Sequence, residues 1–97
     1  MAQVIYSDEA FTDFERIIEF LLQTAPETAA QALDGIRSAI GILEAHPFIG
    51  RRVDDRIREL VISRGATGYL ALYRFDAAFD VVRILRVRHQ REAGYLE

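Results

Sequence analysis

Apolar residues recur with a helical period in the first half of the chain and with a strand-like one in the second. Residues 3–7 alternate enough to predict a short strand. Ser7 then suits a helix N-cap, and Asp8 and Glu9 place negative charge at the positive end of the helix dipole. Ala10, Phe11, Phe14, Ile17, Ile18, Leu21 and Leu22 form an i, i+3/i+4 stripe, which assigns Thr12, Asp13, Glu15, Arg16, Glu19 and Gln23 to the wet side. Thr24-Ala-Pro-Glu27 reads as a stop and restart, with Thr24 capping, Pro26 in the first turn and Glu27 reaching back. A second stripe, Ala29, Ala32, Leu33, Ile36, Ala39, Ile40 and Leu43, completes a helical hairpin that ends at His46-Pro47.

Beyond a loop at Pro47–Asp55 the pattern changes. Ile57–Ser63, Gly68–Phe75 and Asp80–His89 are rich in Val, Ile, Leu and Tyr, with turns at Arg64–Thr67 and Asp76–Phe79. Short turns imply an antiparallel meander. The expected fold is therefore α+β, in the order βααβββ, with a helical hairpin packed on a small antiparallel sheet. In the last strand, alternation puts Val82 and Ile84 on one face and Val81, Leu85 and Val87 on the other. Two helices cover one face of such a sheet, so the second is left open or is covered by something outside this chain.

Length and charge refine this picture. Ninety-seven residues form one domain, 1–97, with 1–46 holding the strand and hairpin and 47–97 the loop, meander and tail. All twelve cationic side chains are arginine, and the formal net charge is −3. The first 46 residues carry two arginines against eight acids, whereas residues 47–97 carry ten arginines against seven acids. An acidic hairpin thus accompanies an arginine-rich sheet, and the net acidity argues against generic or sequence-specific nucleic-acid binding. Cysteine is absent, so there is no disulfide framework or thiol chemistry. No signal-peptide pattern and no membrane-length apolar run are visible, which predicts a cytoplasmic protein without a membrane partner.

The common catalytic patterns are missing as well. There is no glycine-rich phosphate loop, nucleophile elbow or spaced metal-ligand set, so no cofactor or metal is expected. One constellation remains near the C-terminus: Arg83, Arg86, Arg88, His89, Gln90, Arg91 and Tyr95. Guanidinium groups fork onto phosphates or carboxylates, and histidine is the side-chain type whose ordinary charge change lies nearest neutrality. The plainer reading is a sheet edge whose arginines pair with the acidic helices. Alternation also separates Arg86 and Arg88 from His89.

Four segments in order resemble the RelE/ParE toxin superfamily. They are His46-Pro-Phe-Ile-Gly-Arg51, Ile57-Arg-Glu-Leu60, Gly68-Tyr-Leu-Ala-Leu-Tyr-Arg74 and Val82-Arg-Ile-Leu-Arg-Val-Arg-His-Gln-Arg-Glu92. The resemblance implies the toxin of a type II toxin–antitoxin pair, assembled as a hetero-oligomer with a cognate ParD-like antitoxin. The superfamily divides into RelE-like members, which cleave mRNA on the ribosome, and ParE-like members, which poison DNA gyrase and are not nucleases. RNA cleavage through the 2′-OH needs a proton acceptor, a proton donor and cations on the developing phosphorane. In the endonucleases one such arginine follows the tyrosine that Tyr69 matches; here that position is Leu70. With lysine absent throughout, these departures favour the ParE-like branch. The target contact is then expected at Arg83, Arg86, Arg88, His89, Arg91 and Tyr95. The alternative is an endonuclease using His89, Arg91 and Tyr95 as its acid–base set, and a third reading is an inactive member that only tethers an antitoxin. For the antitoxin, the expectation is a groove lined by Phe14, Ile18, Leu21 and Tyr73, with Arg51 and Arg52 gripping acidic side chains. Ordinary core packing competes for the first four, and a solvated corner for the two arginines.

Overall fold

A computed structural model describes residues 1–62 and 68–90 of the chain. Strand β1 (Gln3–Tyr6) leads into helix α1 (Asp8–Thr24). A 3-10 turn at Pro26–Thr28 follows, then helix α2 (Ala29–Gly41) and a second 3-10 turn at Ile42–Glu44. Four strands complete the order: β2 (Arg51–Arg52), β3 (Arg58–Ile62), β4 (Tyr69–Asp76) and β5 (Val81–His89). The class is α+β, as expected, with both helices on one face of the sheet.

The sheet is mixed, not a pure meander. Its order is β1-β5-β4-β3-β2, and β1 lies parallel to β5, Gln3 opposite Val81 and Tyr6 opposite Ile84. The first strand therefore pairs with the last, and two residues of the expected loop, Arg51 and Arg52, pair antiparallel with Glu59 and Arg58. Ser7 joins three elements at the end of β1. Its Oγ accepts from Ala10 N at 3.0 Å as the helix N-cap and donates to the Leu85 carbonyl at 2.9 Å, while its own N–H donates to the Ile84 carbonyl.

The restart at residues 24–28 differs from the expected capping box. Thr24 is still helical, and its hydroxyl donates back to the Phe20 carbonyl at 2.9 Å. Thr28 precedes α2 without capping it through its side chain. Proline at the first position of the 3-10 turn makes the break, since it has no N–H to continue the α1 ladder.

The core lies between the helices and one face of the sheet. Ile17 and Leu21 of α1, Ile36 and Ile40 of α2 and Leu43 pack against Ile62, Tyr69, Ala71, Tyr73, Val82, Ile84 and Val87. Burying each of the larger aliphatic side chains contributes about 1.5–3 kcal/mol. Val87 sits on this face with Val82 and Ile84, against the simple alternation. Tyr73 pairs with Ile84 but Leu72 pairs with Arg86, so Leu85 is an extra residue on β5 that turns the strand over. The assignment of α1's stripe also needs two corrections. Phe11 and Leu22 are exposed, and Asp13, placed on the wet side, is 2% exposed.

Candidate functional site

Asp13 is buried because β1 is too short to cover β5. The β1 pairing stops at Ile84, so the outer edge of β5 beyond it would present bare backbone. Helix α1 crosses there, and the Asp13 carboxylate accepts from Val87 N at 2.8 Å and from Arg86 Nε and Nη2 at 2.8 and 3.1 Å. Arg16, one turn later, approaches the same carboxylate at 3.4 Å. Arg86, one of the expected target residues, is thus engaged in holding the helix to the sheet.

The remaining arginines of β5 belong to the sheet face opposite the helices. Period-2 alternation along β4 puts Tyr69, Ala71 and Tyr73 among the core residues and Leu70, Leu72 and Arg74 on the opposite face. Across from these stand Arg88, Arg86 and Arg83. Arg88 is half-buried, and its Nη1 donates to the His89 carbonyl at 3.3 Å. His89 lies on the helix-facing side, its ring edge-on to Tyr69 at 5.2 Å. Burial raises the Tyr69 phenol above its ordinary value, so it stays protonated through neutral pH. His89 and Arg88 accordingly do not share one compact site. Arg91 and Tyr95 lie outside the described residues.

At the other end of the sheet the His46–Arg51 corner is built around Tyr73. The Tyr73 hydroxyl donates to the Pro47 carbonyl and accepts from Gly50 N, both at 2.8 Å. A Cβ on Gly50 would lie 2.6 Å from Tyr73 Cε1 and 2.9 Å from the Glu59 carbonyl, so this position excludes any larger residue without displacement. Arg58 donates to the carbonyls of Phe48 and Gly50 and lies over the Phe48 ring at 5.2 Å, while Phe48 meets Phe75 edge-on. Arg51 pairs with the buried Glu59, through Nε at 3.0 Å and through Nη2. Arg52 is exposed and 3.6 Å from Asp55. Asp54 accepts from Arg56 N and Ile57 N, and these backbone donors hold its carboxyl below the usual range.

The groove expected from Phe14, Ile18, Leu21 and Tyr73 is not formed. Tyr73 is fully buried under the corner and Leu21 is a core residue, so neither offers a surface. Phe14 is half-buried and packs edge-on against Tyr6 at 5.5 Å; Ile18 is half-buried. Helical geometry instead aligns Phe11, Ile18 and Leu22, at i, i+7 and i+11, with Phe11 and Leu22 more than half exposed. The seven-residue stripe is wide enough to signal that the sheet does not cover all of it, but periodicity did not single out Phe11 and Leu22 as the residues left uncovered. Phe20 is likewise exposed. Among the described residues no group of three or more His, Asp or Glu converges as a metal ion would require, and no helix is long and apolar enough to cross a membrane.

Comparison with known proteins fits this architecture. The family model described as "ParE toxin of type II toxin-antitoxin system, parDE" matches residues 4–94. Toxin RelE3 of Caulobacter vibrioides is 38% identical over 92 residues, covering 95% of this chain and 98% of the relative. A chain of the chromosomal ParDE toxin–antitoxin system from P. aeruginosa superposes with a TM-score of 0.76 at 22% identity, covering 92% of this chain and 96% of that one. A chain of the intact E. coli RelBE toxin–antitoxin complex gives 0.63 at 12% identity, covering 95% of this chain and all of that one.

Proposed function

The chain belongs to the ParE toxin family of type II toxin–antitoxin systems, and from that membership we propose that it acts by poisoning DNA gyrase and is neutralised by a ParD-like antitoxin. The observation that carries the choice of target is Leu70. It occupies the middle-strand position where the resemblance to RNA-cleaving members calls for an arginine, and it is 8% exposed. A buried leucine supplies no charge to a developing phosphorane, and no lysine anywhere in the chain replaces it. The residues toward the C-terminus, Arg83, Arg88, His89, Arg91 and Tyr95, then serve in contact with the target, not as an acid–base set. Arg86 belongs to the same strand but is held by Asp13.

An antitoxin partner is supported by the stripe Phe11, Ile18 and Leu22. A small domain that leaves aromatic and aliphatic side chains exposed along one helix offers an apolar surface for a partner segment. Arg51 and Arg52, both well exposed at the corner, supply charge for acidic side chains of such a segment.

A second reading, a ribosome-dependent mRNA endonuclease, is favoured by the name of the Caulobacter relative, a RelE toxin. Induced expression of the chain alone separates the two. Gyrase–DNA cleavage complexes with intact message support the poison. Cleaved message preceding any break refutes it in favour of the endonuclease. Unimpaired growth with neither effect refutes both and identifies a member that only binds an antitoxin.

A further inference from the structure

Strand β1 ends the sheet and pairs with β5 alone. Gln3 N–H donates to the Asp80 carbonyl and Ser7 N–H to the Ile84 carbonyl, both at 2.9 Å. In a parallel ladder alternate residues bond to the same neighbour, so Gln3, Ile5 and Ser7 face β5, while Val4 and Tyr6 turn their N–H and C=O groups outward. Ala2 keeps the same alternation and donates outward, to the Glu44 carbonyl at 2.9 Å. The outward backbone groups of Val4 and Tyr6 meet no partner among the described residues.

Sheet edges are kept from pairing by shortness, by charge or by a cover. At the opposite end of the sheet β2 is two residues long and both are arginine. The part of β5 that extends beyond β1 gives its Val87 N–H to Asp13. β1 has no such device: Gln3-Val-Ile-Tyr6 holds no charge and no proline, and its register with β5 is unbroken. Beside it lies a depression lined by Val4 and Tyr6 from β1 and by Ser38 and Gly41 from α2. A Cβ at Gly41 would meet nothing within 4 Å, so packing does not require glycine there. Glycine in a helix is destabilising relative to alanine; at this position it leaves room for another backbone alongside β1.

Backbone donors and acceptors at two-residue spacing are matched by an extended polypeptide. Val4 and Tyr6 both line the depression, so apolar side chains at alternate positions suit the incoming strand. Its charged lining is Asp34 and Glu44 against Arg37, and residues 1–46 carry two arginines against eight acids. Pairing with β1 of a second copy would bring two such acidic hairpins together, whereas a segment with a basic side chain is attracted. We infer that β1 takes an extended, apolar and basic segment of a partner protein as a sixth strand of the sheet, seated between β1 and α2. The inference is independent of whether gyrase or the ribosome is the cellular target.

The probe is a capped heptapeptide with valine at its second, fourth and sixth positions, arginine at its third and threonine elsewhere. Its binding is read from amide hydrogen exchange of the intact chain at low salt. Exchange at Val4 and Tyr6 is expected to slow at least tenfold and saturably, while Gln3, Ile5 and Ser7 are slow with or without peptide. The same peptide N-methylated at alternate residues is expected to give no protection, and replacing its arginine by glutamate is expected to weaken binding. Gly41→Leu and Ser38→Leu fill the depression from the exposed side of α2, and each is expected to weaken the peptide about tenfold without lowering the unfolding temperature. No slowing at Val4 and Tyr6, equal slowing by the N-methylated peptide, tighter binding of the glutamate peptide, or unchanged affinity in both leucine variants would each overturn the inference. Protection of these two amides that rises with protein concentration and without peptide would also overturn it, in favour of a second copy.

Discussion

Asp13→Ala tests the proposition that one carboxylate joins the helical layer to the last strand. The substitution leaves the Val87 N–H, now bonded at 2.8 Å, without its acceptor and strips Arg86 of a carboxylate that receives two of its hydrogens. A buried donor left unsatisfied costs about 1–3 kcal/mol. Breaking a buried ion pair by removing one partner costs about 3–5 kcal/mol. The two penalties describe overlapping contacts, so they do not add. Arg86 is only 21% exposed and Asp13 3%, so solvent does little to screen the pair, whereas the Arg16 contact, at 31%, contributes little. The expected loss is about 3–5 kcal/mol from a domain whose whole stability is of order 5–15 kcal/mol. In urea unfolding the midpoint falls sharply while the slope stays unchanged, and in a thermal scan the transition drops by roughly 12 °C or more. Combining Asp13→Ala with Arg86→Ala removes the stranded guanidinium, so the double variant is expected to be no less stable than Asp13→Ala alone. A loss under about 1 kcal/mol, or strictly additive single effects, would refute the reasoning.

Four further variants test other parts of the molecule. Gly50→Ala forces a Cβ into Tyr73 and the Glu59 carbonyl, and a loss of about 1–3 kcal/mol in denaturant unfolding is expected. Tyr73→Phe leaves Gly50 N buried without its acceptor and is expected to lose a similar amount. Burial also raises the Tyr73 phenol above its ordinary value, so the stability linked to that proton is complete below about pH 10 and is lost as pH rises through the higher folded value; stability followed by urea unfolding across that range should fall less steeply in Tyr73→Phe. Phe11→Ser with Leu22→Ser should change stability by about 1 kcal/mol or less, since both are over half exposed, yet weaken capture of the co-expressed antitoxin; unchanged capture would remove the helix stripe from the interface. Arg88→Ala with Arg91→Ala should relieve toxicity in growth assays while antitoxin binding persists, and full toxicity would place the effector surface elsewhere.

The parts of this molecule legible in the sequence are those with local causes. Both helices, the Ser7 cap and the three long strands follow from periodicity and turn chemistry over a few residues. The misreadings arise where distant segments decide. Asp13 looks solvated because a charged residue in an amphipathic stripe is assigned outward by default, and only the early end of β1 creates the edge that needs a carboxylate. Val87 changes face because of Leu85, an inserted residue whose side chain is as apolar as its neighbours and gives no punctuation. Parallel pairing of β1 with β5 has no local signature at all. Tyr73 was expected at a surface groove, but its hydroxyl is satisfied by the corner that folds over it. The corner itself was visible as a motif, while the reason for its glycine, the tyrosine ring pressed against it, emerges only in three dimensions.

The pairing of the first strand with the last has a consequence in time. Residues 3–6 wait for residues 81–84 before the sheet can close, and at about 5–20 residues per second synthesis of 97 residues takes roughly 5–20 s. Through that interval α1 and α2 have no sheet on which to bury Ile17, Ile36 or Ile40. A nascent chain therefore cannot reach its native state early. Products terminated before β5 lack the strand that joins β1 to β4, and they expose the hairpin's apolar face to proteases instead of folding into a partial toxin.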